Sequence, residues 1–170
     1  MEEAFFIGVI DLQIRIAGIV PESFVDGAGI RYAIFMQGCK RHCRGCHNPQ
    51  TQDLLGGYLM DTADIINEFK QNILASGITL TGGEPLLQID AATELACAAK
   101  KYRLNVWCYT GFTFEMLPPE ADKLLNFVDV LVDGEYRESE RDLSLLFRGS
   151  KNQRVIDLNE TRRQHKIVLW

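Results

Sequence analysis

The segment formed by residues 38–49 is the part of the chain best suited to chemistry. Cys39, Cys43 and Cys46 follow one another with the spacing C-x3-C-x2-C, and they are three of five cysteines in the chain. Thiolates are the soft ligands that iron–sulfur clusters and zinc prefer. Three cysteines can hold three irons of a four-iron cluster and leave the fourth open, whereas clusters that only transfer electrons usually have four protein ligands. An open metal position indicates reactivity rather than a structural role.

The same segment is also compatible with a structural zinc site. His42 and His47 lie beside the cysteines, and a Cys3His set with such spacing is a known zinc-binding pattern. The segment taken alone does not distinguish the two metals, so a zinc-binding interaction module stays open as an alternative at this point.

Composition is typical of an ordinary globular protein. The chain has 170 residues, 46% of them hydrophobic, which suffices for one domain with a sizeable core, and we expect residues 1–170 to form a single domain. No apolar run approaches the ~20 residues that span a bilayer. The acidic start of the chain does not resemble a signal peptide. The net charge of −5 argues against general nucleic-acid binding.

The cysteines indicate a reducing compartment. Without an export signal we expect the protein in the cytoplasm, where clustered thiols bind metals or carry redox chemistry rather than form disulfides. Cys97 and Cys108 stand alone in apolar surroundings. We expect these two residues to be buried as small hydrophobic side chains.

Strand and helix patterns alternate along the chain, which predicts an α/β fold with a parallel sheet. One helix is expected to begin at Asp61 and to turn Ile65, Phe69 and Ile73 toward the core, since they recur every four residues. The other predicted helices span residues 91–102 and 121–127, and residues 51–60 are expected to be irregular. The predicted strands span residues 12–20, 30–37, 78–81, 104–109 and 128–132. Residues 148–154 form a polar loop before residues 155–158, and residues 165–170 can add a terminal strand.

Polar motifs follow four of the predicted strands directly. They are the cysteine segment, Gly82-Gly83-Glu84, Thr110-Gly111 and Asp133-Gly134. Ligands of α/β sheets and barrels bind at the carboxyl ends of the strands. We therefore expect the four motifs to converge on one site, an arrangement that a structural zinc knuckle does not need.

Together these motifs resemble those of radical S-adenosylmethionine (SAM) enzymes. The cysteine spacing matches the cluster motif of that superfamily, and Gly82-Gly83-Glu84-Pro85 matches the glycine-rich segment that holds the methionine part of the cofactor. The small size is similar to that of glycyl-radical activating enzymes. More narrowly, three segments resemble the activating proteins of anaerobic ribonucleoside-triphosphate reductases: residues 109–115, 130–136 and 147–154.

The resemblance implies a fold, two cofactors and partners. The fold would be an open, partial (β/α) barrel with mainly parallel strands, since a complete eight-stranded barrel typically needs ~250 residues. Cys39, Cys43 and Cys46 would hold a [4Fe-4S] cluster that cleaves SAM. The product radical would generate a glycyl radical on the reductase, and the electron would come from a low-potential donor such as flavodoxin. An activating enzyme of another glycyl-radical protein, of the formate-lyase type, is the nearest alternative.

The resemblance also implies roles for single residues, with no catalytic side chain beyond the cluster site. Gly82 and Gly83 would approach the methionine part of SAM, and Glu84 would accept hydrogen bonds from its amino group. Many relatives carry an aromatic residue where this chain has Gly45, just before Cys46, so His47 becomes the candidate that packs on adenine. Alternatively, His47 is only hydrogen-bonded within the loop.

The remaining motif residues have two possible roles each. Thr110 and Asp133 would line the ribose or a cation site, or would simply form turns. Arg148, Asn152 and Arg154 are expected to order the end of the chain or to contact the partner, rather than to act in catalysis.

Overall fold

The computed structural model describes residues 12–170, which form one mixed sheet of seven strands in the order β3-β1-β2-β4-β5-β6-β7. The four central strands β2, β4, β5 and β6 are parallel neighbours. The strands β1 and β7 run antiparallel to them, and β3 is antiparallel to β1. The strands are β1 (Gln13–Ser23), β2 (Arg31–Met36), β3 (Tyr58–Asp61), β4 (Gly77–Gly82), β5 (Asn105–Tyr109), β6 (Val130–Asp133) and β7 (Arg154–Asp157).

Helices cover one face of this sheet. They are α1 (Thr62–Gln71), α2 (Ile89–Lys101), α3 (Asp122–Leu125) and α4 (Leu158–Gln164). The apolar stripe of α2 is buried as its spacing predicts, with Leu95 between small alanines that let the helix lie close to the strands. The alternation of strands and helices therefore produces the expected α/β layering, with the core between the helices and the sheet.

The first helix differs from its prediction at one residue. Ile65 and Phe69 of α1 are fully buried, as expected, but Ile73 is 94% exposed. The reason is that α1 ends at Gln71, and its C-cap residue Asn72 has an extended backbone. The four-residue spacing is then lost before Ile73, so the prediction that Ile73 faces the core is wrong.

Strand β3 and helix α4 were not expected from the sequence, and one expected strand is reduced to a single bridge. Residues 51–60 were expected to be irregular, yet Tyr58–Asp61 form the edge strand β3. Leu158–Gln164 form α4, which begins at Asp157 because the carboxylate of this residue accepts the backbone N–H of Glu160 at 2.9 Å. Leu169 contributes one isolated bridge, to Ile156.

The second face of the sheet carries an aromatic cluster. Trp107 of β5 packs edge to face against Phe147 and Trp170, with ring centroids 5.2 Å away in both cases. Phe147 and Trp170 also contact each other at 5.8 Å. This cluster fastens the segment before β7 to the sheet.

The carboxyl ends of the central strands lie at one edge of the sheet. Met36, the last residue of β2, pairs with Gly82, the last residue of β4. Tyr109 at the end of β5 pairs with Val132 of β6. The sheet does not close in the part of the chain described here, because β3 and β7 each lack a second neighbour. Every helix within residues 12–170 is too short or too polar to cross a lipid bilayer.

Candidate functional site

The cysteine segment is a loop whose two ends are joined by main-chain hydrogen bonds. It leaves the sheet after β2, where the N–H of Gly38 donates to the carbonyl of Thr51 at 2.7 Å. The N–H of Cys39 donates to Gln52 at 3.1 Å. Inside the loop, the N–H of Cys46 donates to the carbonyl of Cys43 at 3.2 Å and closes a tight turn. These main-chain hydrogen bonds close the loop and bring the three cysteines near one another.

Gln37 supports this loop from below and was not recognised from the sequence. Its side chain is almost completely buried, and its amide donates to the carbonyls of Gln50 at 3.0 Å and Asp53 at 2.6 Å. Both acceptors lie on the returning half of the loop. A polar residue that ends the apolar run of β2 is the signal that could have indicated it.

The loop forms one wall of a cavity of about 600 Å³ at the carboxyl edge of the sheet. The opposite wall comes from the turns after β4 and β5 and from residues 142–149. The predicted convergence is confirmed for the first three motifs and for Gly134. The predicted residues that line the cavity are Cys39, Cys43, Cys46, His47, Gly82, Gly83, Glu84, Thr110 and Gly134.

All five cysteines lie within the described residues and are free thiols. Burial raises the pKa of Cys39 and of Cys43. The charges of Glu84 and Cys46 raise the pKa of Cys39 further, and the other two loop cysteines do the same for Cys43. The thiolate forms therefore need added positive charge, which bound iron supplies when it deprotonates its ligands. The donor set thus fits an iron–sulfur cluster. Elsewhere, Cys108 is buried as predicted, while Cys97 is only partly buried.

The spacing of the ligand groups can also be compared with that of a single-ion site. Among residues 12–170, no three His, Cys, Asp or Glu side chains are grouped as the ligands of one metal ion.

The turn after β4 packs directly on the cysteine loop. The N–H of Gly83 donates to the carbonyl of Met36 at 2.7 Å, and the N–H of Glu84 donates to Gly38 at 2.8 Å. Gly82 has φ of +90°, a conformation that L side chains rarely adopt. A Cβ atom at residue 83 would lie 2.3 Å from the Gly38 oxygen, so only glycine fits there.

Glu84 is a buried carboxylate at the inner end of the cavity, only 4% exposed. It accepts the hydroxyl of Thr110 at 2.9 Å and the N–H of Gly111 at 2.9 Å, and the guanidinium of Arg41 lies 3.9 Å away. Burial raises the pKa of Glu84, and the hydrogen bonds from Gly111, Leu86 and Thr110 oppose that rise. Thr110 therefore orients Glu84 in the structure.

His47 and Gly45 lie on either side of the last cysteine, in different surroundings. The ring of His47 lies 4.5 Å from the ring of Tyr136, centroid to centroid, at the cavity wall. Gly45 instead faces outward against Glu138, where a Cβ atom would come within 2.9 Å of a carboxylate oxygen. Gly45 has φ of +71°, a conformation that L side chains rarely adopt, so glycine is favoured just before Cys46. The aromatic rings at this wall are those of His47 and Tyr136.

Asp133 is placed differently from the other motif residues. It is 1% exposed and is not among the residues that line the cavity. Its carboxylate accepts the N–H of Phe114 at 2.7 Å and pairs with Arg154, whose Nε lies 3.0 Å away. Arg154 also forms a two-point ion pair with Glu115, at 2.8 and 3.0 Å.

The polar segment before β7 is held by hydrogen bonds within this part of the chain. Arg148 donates to the carbonyl of Gln153 at 2.7 Å, and the amide of Asn152 donates to Glu135 at 2.9 Å. Gln153 donates to the carbonyl of Gly134 at 3.0 Å. These contacts order the far wall of the cavity, in agreement with the structural role expected for Arg148 and Asn152.

Comparisons with known proteins identify related sequences. A family model described as a 4Fe-4S single cluster domain matches residues 25–156. The chain is similar to the anaerobic ribonucleoside-triphosphate reductase-activating protein of Haemophilus influenzae, 33% identical over 141 residues that cover 78% of this chain and 91% of the relative. The protein of that name from Escherichia coli is 32% identical over 147 residues, 79% and 93% of the two chains. The one from Enterobacteria phage T4 is 33% identical over 144 residues, 81% and 90%.

The matched domain and the cysteine-lined cavity define the class, a 4Fe-4S cluster protein built on an open α/β sheet. Relatives above 30% identity span most of this chain and most of their own length. The chain belongs to the family of anaerobic ribonucleoside-triphosphate reductase-activating proteins. It is thus an activating enzyme of the oxidoreductase class. The family resemblance inferred from the three sequence segments is confirmed, and the alternative of a zinc-binding interaction module is not favoured.

Proposed function

We propose that this protein is a radical SAM activase that generates a glycyl radical on an anaerobic ribonucleoside-triphosphate reductase. The observation that carries the proposal is the meeting of three cysteines and one buried carboxylate, Glu84, in a single cavity. Family membership supplies the reductase as the partner class, because the relatives are named as activators of that enzyme.

In this proposal Cys39, Cys43 and Cys46 hold the [4Fe-4S] cluster through their thiolates. When bound, the cluster supplies the electron that cleaves SAM to methionine and a 5′-deoxyadenosyl radical. The chain itself provides the ligands, the orientation of the cofactor and the exclusion of water. The position of all three thiols in the cavity wall supports this, because thiolates are the ligands that iron–sulfur clusters prefer.

Glu84 and the turn that carries it would hold the methionine part of SAM. A carboxylate that accepts an ammonium group makes a charge-assisted hydrogen bond, about twice as strong as a neutral one. Thr110 and Gly111 fix its orientation in advance. We place Gly82 and Gly83 next to the methionine part of the cofactor. The adenine lies beside His47 and Tyr136, at the end of the loop that carries Gly45 and Cys46. Asp133 makes no direct contact with SAM in this proposal.

We further infer that the sheet is the open, partial barrel of radical SAM enzymes and that residues 1–170 act as one domain. The helices cover one face, and the cavity lies at the carboxyl edge, as this architecture requires. The free cysteines are in keeping with the reducing cytoplasm expected from the sequence.

The mouth of the cavity suggests where the partner reaches the cofactor. Four of the residues that line it have apolar side chains that are largely exposed: Phe24, Val25, Leu143 and Leu146. Isolated exposed apolar residues are ordinary, but a group that borders a reactive cavity indicates contact with another molecule. We place the glycine-bearing segment of the reductase against these four residues. The electron donor is expected to be a flavodoxin-like protein.

The first experiment is anaerobic reconstitution with iron and sulfide, comparing the wild type with Cys43→Ala. The wild type should turn brown, bind about four irons per chain and yield 5′-deoxyadenosine from SAM with dithionite. Cys43→Ala should lose both properties, while Cys97→Ala on α2 serves as the matched control and should retain them. A colourless wild-type protein with one tightly bound zinc ion would contradict the proposal.

The second experiment identifies the partner. The reconstituted protein is mixed with SAM, a reductant and either the anaerobic reductase or a formate-lyase-type protein, and glycyl radical is measured by EPR. We expect the signal only with the reductase. A signal only with the lyase would support the alternative activating enzyme. Loss of signal in Leu143→Glu, with SAM cleavage intact, would place the contact at the cavity mouth.

A further inference from the structure

Arg41 is a cation in the wall of the cavity that lacks a complete set of partners. It lies in the cysteine loop between Cys39 and Cys43, and its side chain is 27% exposed. Its Nε atom is buried, yet it makes no hydrogen bond within residues 12–170. The nearest acidic atom is Oε2 of Glu84 at 3.9 Å, which is beyond hydrogen-bonding distance. Buried donors are normally paired, so this one needs an explanation.

The guanidinium is held in place by residues far away in the sequence. Its Cζ atom lies 4.2 Å from the centre of the Phe112 ring, in a cation–π arrangement. Gly111 leaves the space that the side chain crosses, because a Cβ atom there would lie 2.2 Å from Cδ of Arg41. Arg41 is therefore fixed between the cysteine loop and the turn after β5, and it is not a freely moving surface residue.

Arg41 and Glu84 differ in how many of their hydrogen-bonding atoms already have partners within the protein. Both oxygens of Glu84 accept hydrogen bonds from Thr110 and Gly111, whereas Arg41 keeps an unused donor. A positive and a negative side chain thus lie side by side beside two of the cysteines that line the cavity. This pair is complementary to a ligand that carries an ammonium and a carboxylate on the same carbon atom.

We propose that Arg41 binds the carboxylate of the amino-acid part of SAM, while Glu84 receives the ammonium group. This assignment rests on the function proposed above and gives a role to a residue whose type the cysteine motif does not specify, since Arg41 is one of the three x positions between Cys39 and Cys43. A guanidinium suits this task because its planar donors match the two oxygens of a carboxylate. Arg41 then discriminates amino-acid-bearing ligands from those that have lost the carboxylate.

The test measures binding rather than turnover. Cluster-reconstituted protein is titrated anaerobically with SAM and with decarboxylated SAM, which has the ammonium but no carboxylate. Arg41→Gln should weaken SAM binding by about 10- to 100-fold, the loss expected for a charged hydrogen bond, and should leave decarboxylated SAM nearly unchanged. Arg44→Gln is the matched control, since Arg44 is 93% exposed and pairs with Glu138; it should change neither affinity.

Other outcomes have clear meanings. An equal loss for both ligands would show that Arg41 only supports the loop or Glu84, and would overturn the proposal, as would unchanged SAM affinity. Iron content and the unfolding midpoint establish that Arg41→Gln is folded. If it is not, Arg41→Lys takes its place and should show a selective, smaller loss for SAM, since a lysine keeps the charge without the planar donors. A wild-type protein that binds iron but neither ligand would instead refute the proposed function.

Discussion

The α-carbon of Gly83 lies against the carbonyl oxygen of Gly38, so closely that a Cβ atom at residue 83 would be 2.3 Å from it. Gly38 begins the cysteine loop, and Gly83 belongs to the turn that carries Glu84. The N–H of Glu84 donates to the same carbonyl at 2.8 Å. The part of the chain that would hold the cluster and the part that would hold the amino group of SAM are therefore one packed unit of backbone.

This contact makes Gly83→Ala a sensitive substitution. The added methyl group must push the loop and the turn apart, which costs typically 1–3 kcal/mol for an overpacked site. We expect a lower free energy of unfolding in urea and fewer irons bound per chain after reconstitution. Gly18→Ala is the control, because no heavy atom lies within 4 Å of a Cβ atom at residue 18. Normal iron content in Gly83→Ala would show that the loop adjusts independently of the turn.

Thr110→Val tests the support of Glu84. The hydroxyl of Thr110 donates to the carboxylate at 2.9 Å, and valine has nearly the same shape without that donor. Removing a hydrogen bond to a buried charged group costs about 1–3 kcal/mol. Unfolding measurements should show this loss, and SAM affinity should fall with it. Thr113→Val, at an exposed residue, should leave both quantities unchanged. Equal behaviour of the two variants would contradict the assigned role of Thr110.

Arg154 neutralises the buried carboxylate of Asp133, and its removal should be costly. Arg154→Gln leaves Asp133, which is 1% exposed, without its cation. Breaking a buried ion pair on one side destabilises by about 3–5 kcal/mol. Chemical denaturation measures the effect, and the double variant with Asp133→Asn should recover part of it. A surface pair is the comparison: Arg163→Gln, at a side chain 70% exposed, should be nearly neutral.

The ion pair between Arg154 and Glu115 makes the free energy of unfolding depend on pH, and the direction of this dependence follows from the pKa of Glu115. Hydrogen bonds from Arg154 lower the pKa of Glu115 from 4.5 to about 2. A carboxyl with a lowered pKa in the folded state stabilises the fold above pH 4.5, and this contribution is lost as the pH falls toward 2. Glu115 is exposed, so the effect is about 1 kcal/mol or less and weakens with salt. The stability difference between the wild type and Glu115→Gln should shrink between pH 5 and pH 3; a constant difference would contradict the pairing.

The central strands and the meeting of the motifs could be predicted because both follow from local patterns. Apolar runs that end in polar turns indicated β2, β4 and β5. Because the carboxyl ends of parallel strands lie at one edge of the sheet, the motifs after these strands were expected to meet. The edge strand β3 was missed because Gly56 and Gly57 break the pattern just before it, and because Tyr58 and Leu59 are half exposed.

The contacts that complete the site could not be predicted, because they join residues far apart in the sequence. The position of Arg41 depends on Phe112, about seventy residues later, and nothing in the local sequence of either residue indicates the contact. Asp133 shows the opposite case. It follows a strand like the other motifs, but Arg154 draws its carboxylate away from the cavity into an ion pair.

The aromatic cluster on the second face of the sheet gives the protein an internal optical reporter. The chain has two tryptophans, Trp107 and Trp170, and both rings touch Phe147. Phe147 belongs to the segment that forms the far wall of the cavity. Any displacement of that wall changes the surroundings of both indoles at once, so the intrinsic fluorescence of the unlabelled protein records the movement of the wall as ligands or partners arrive.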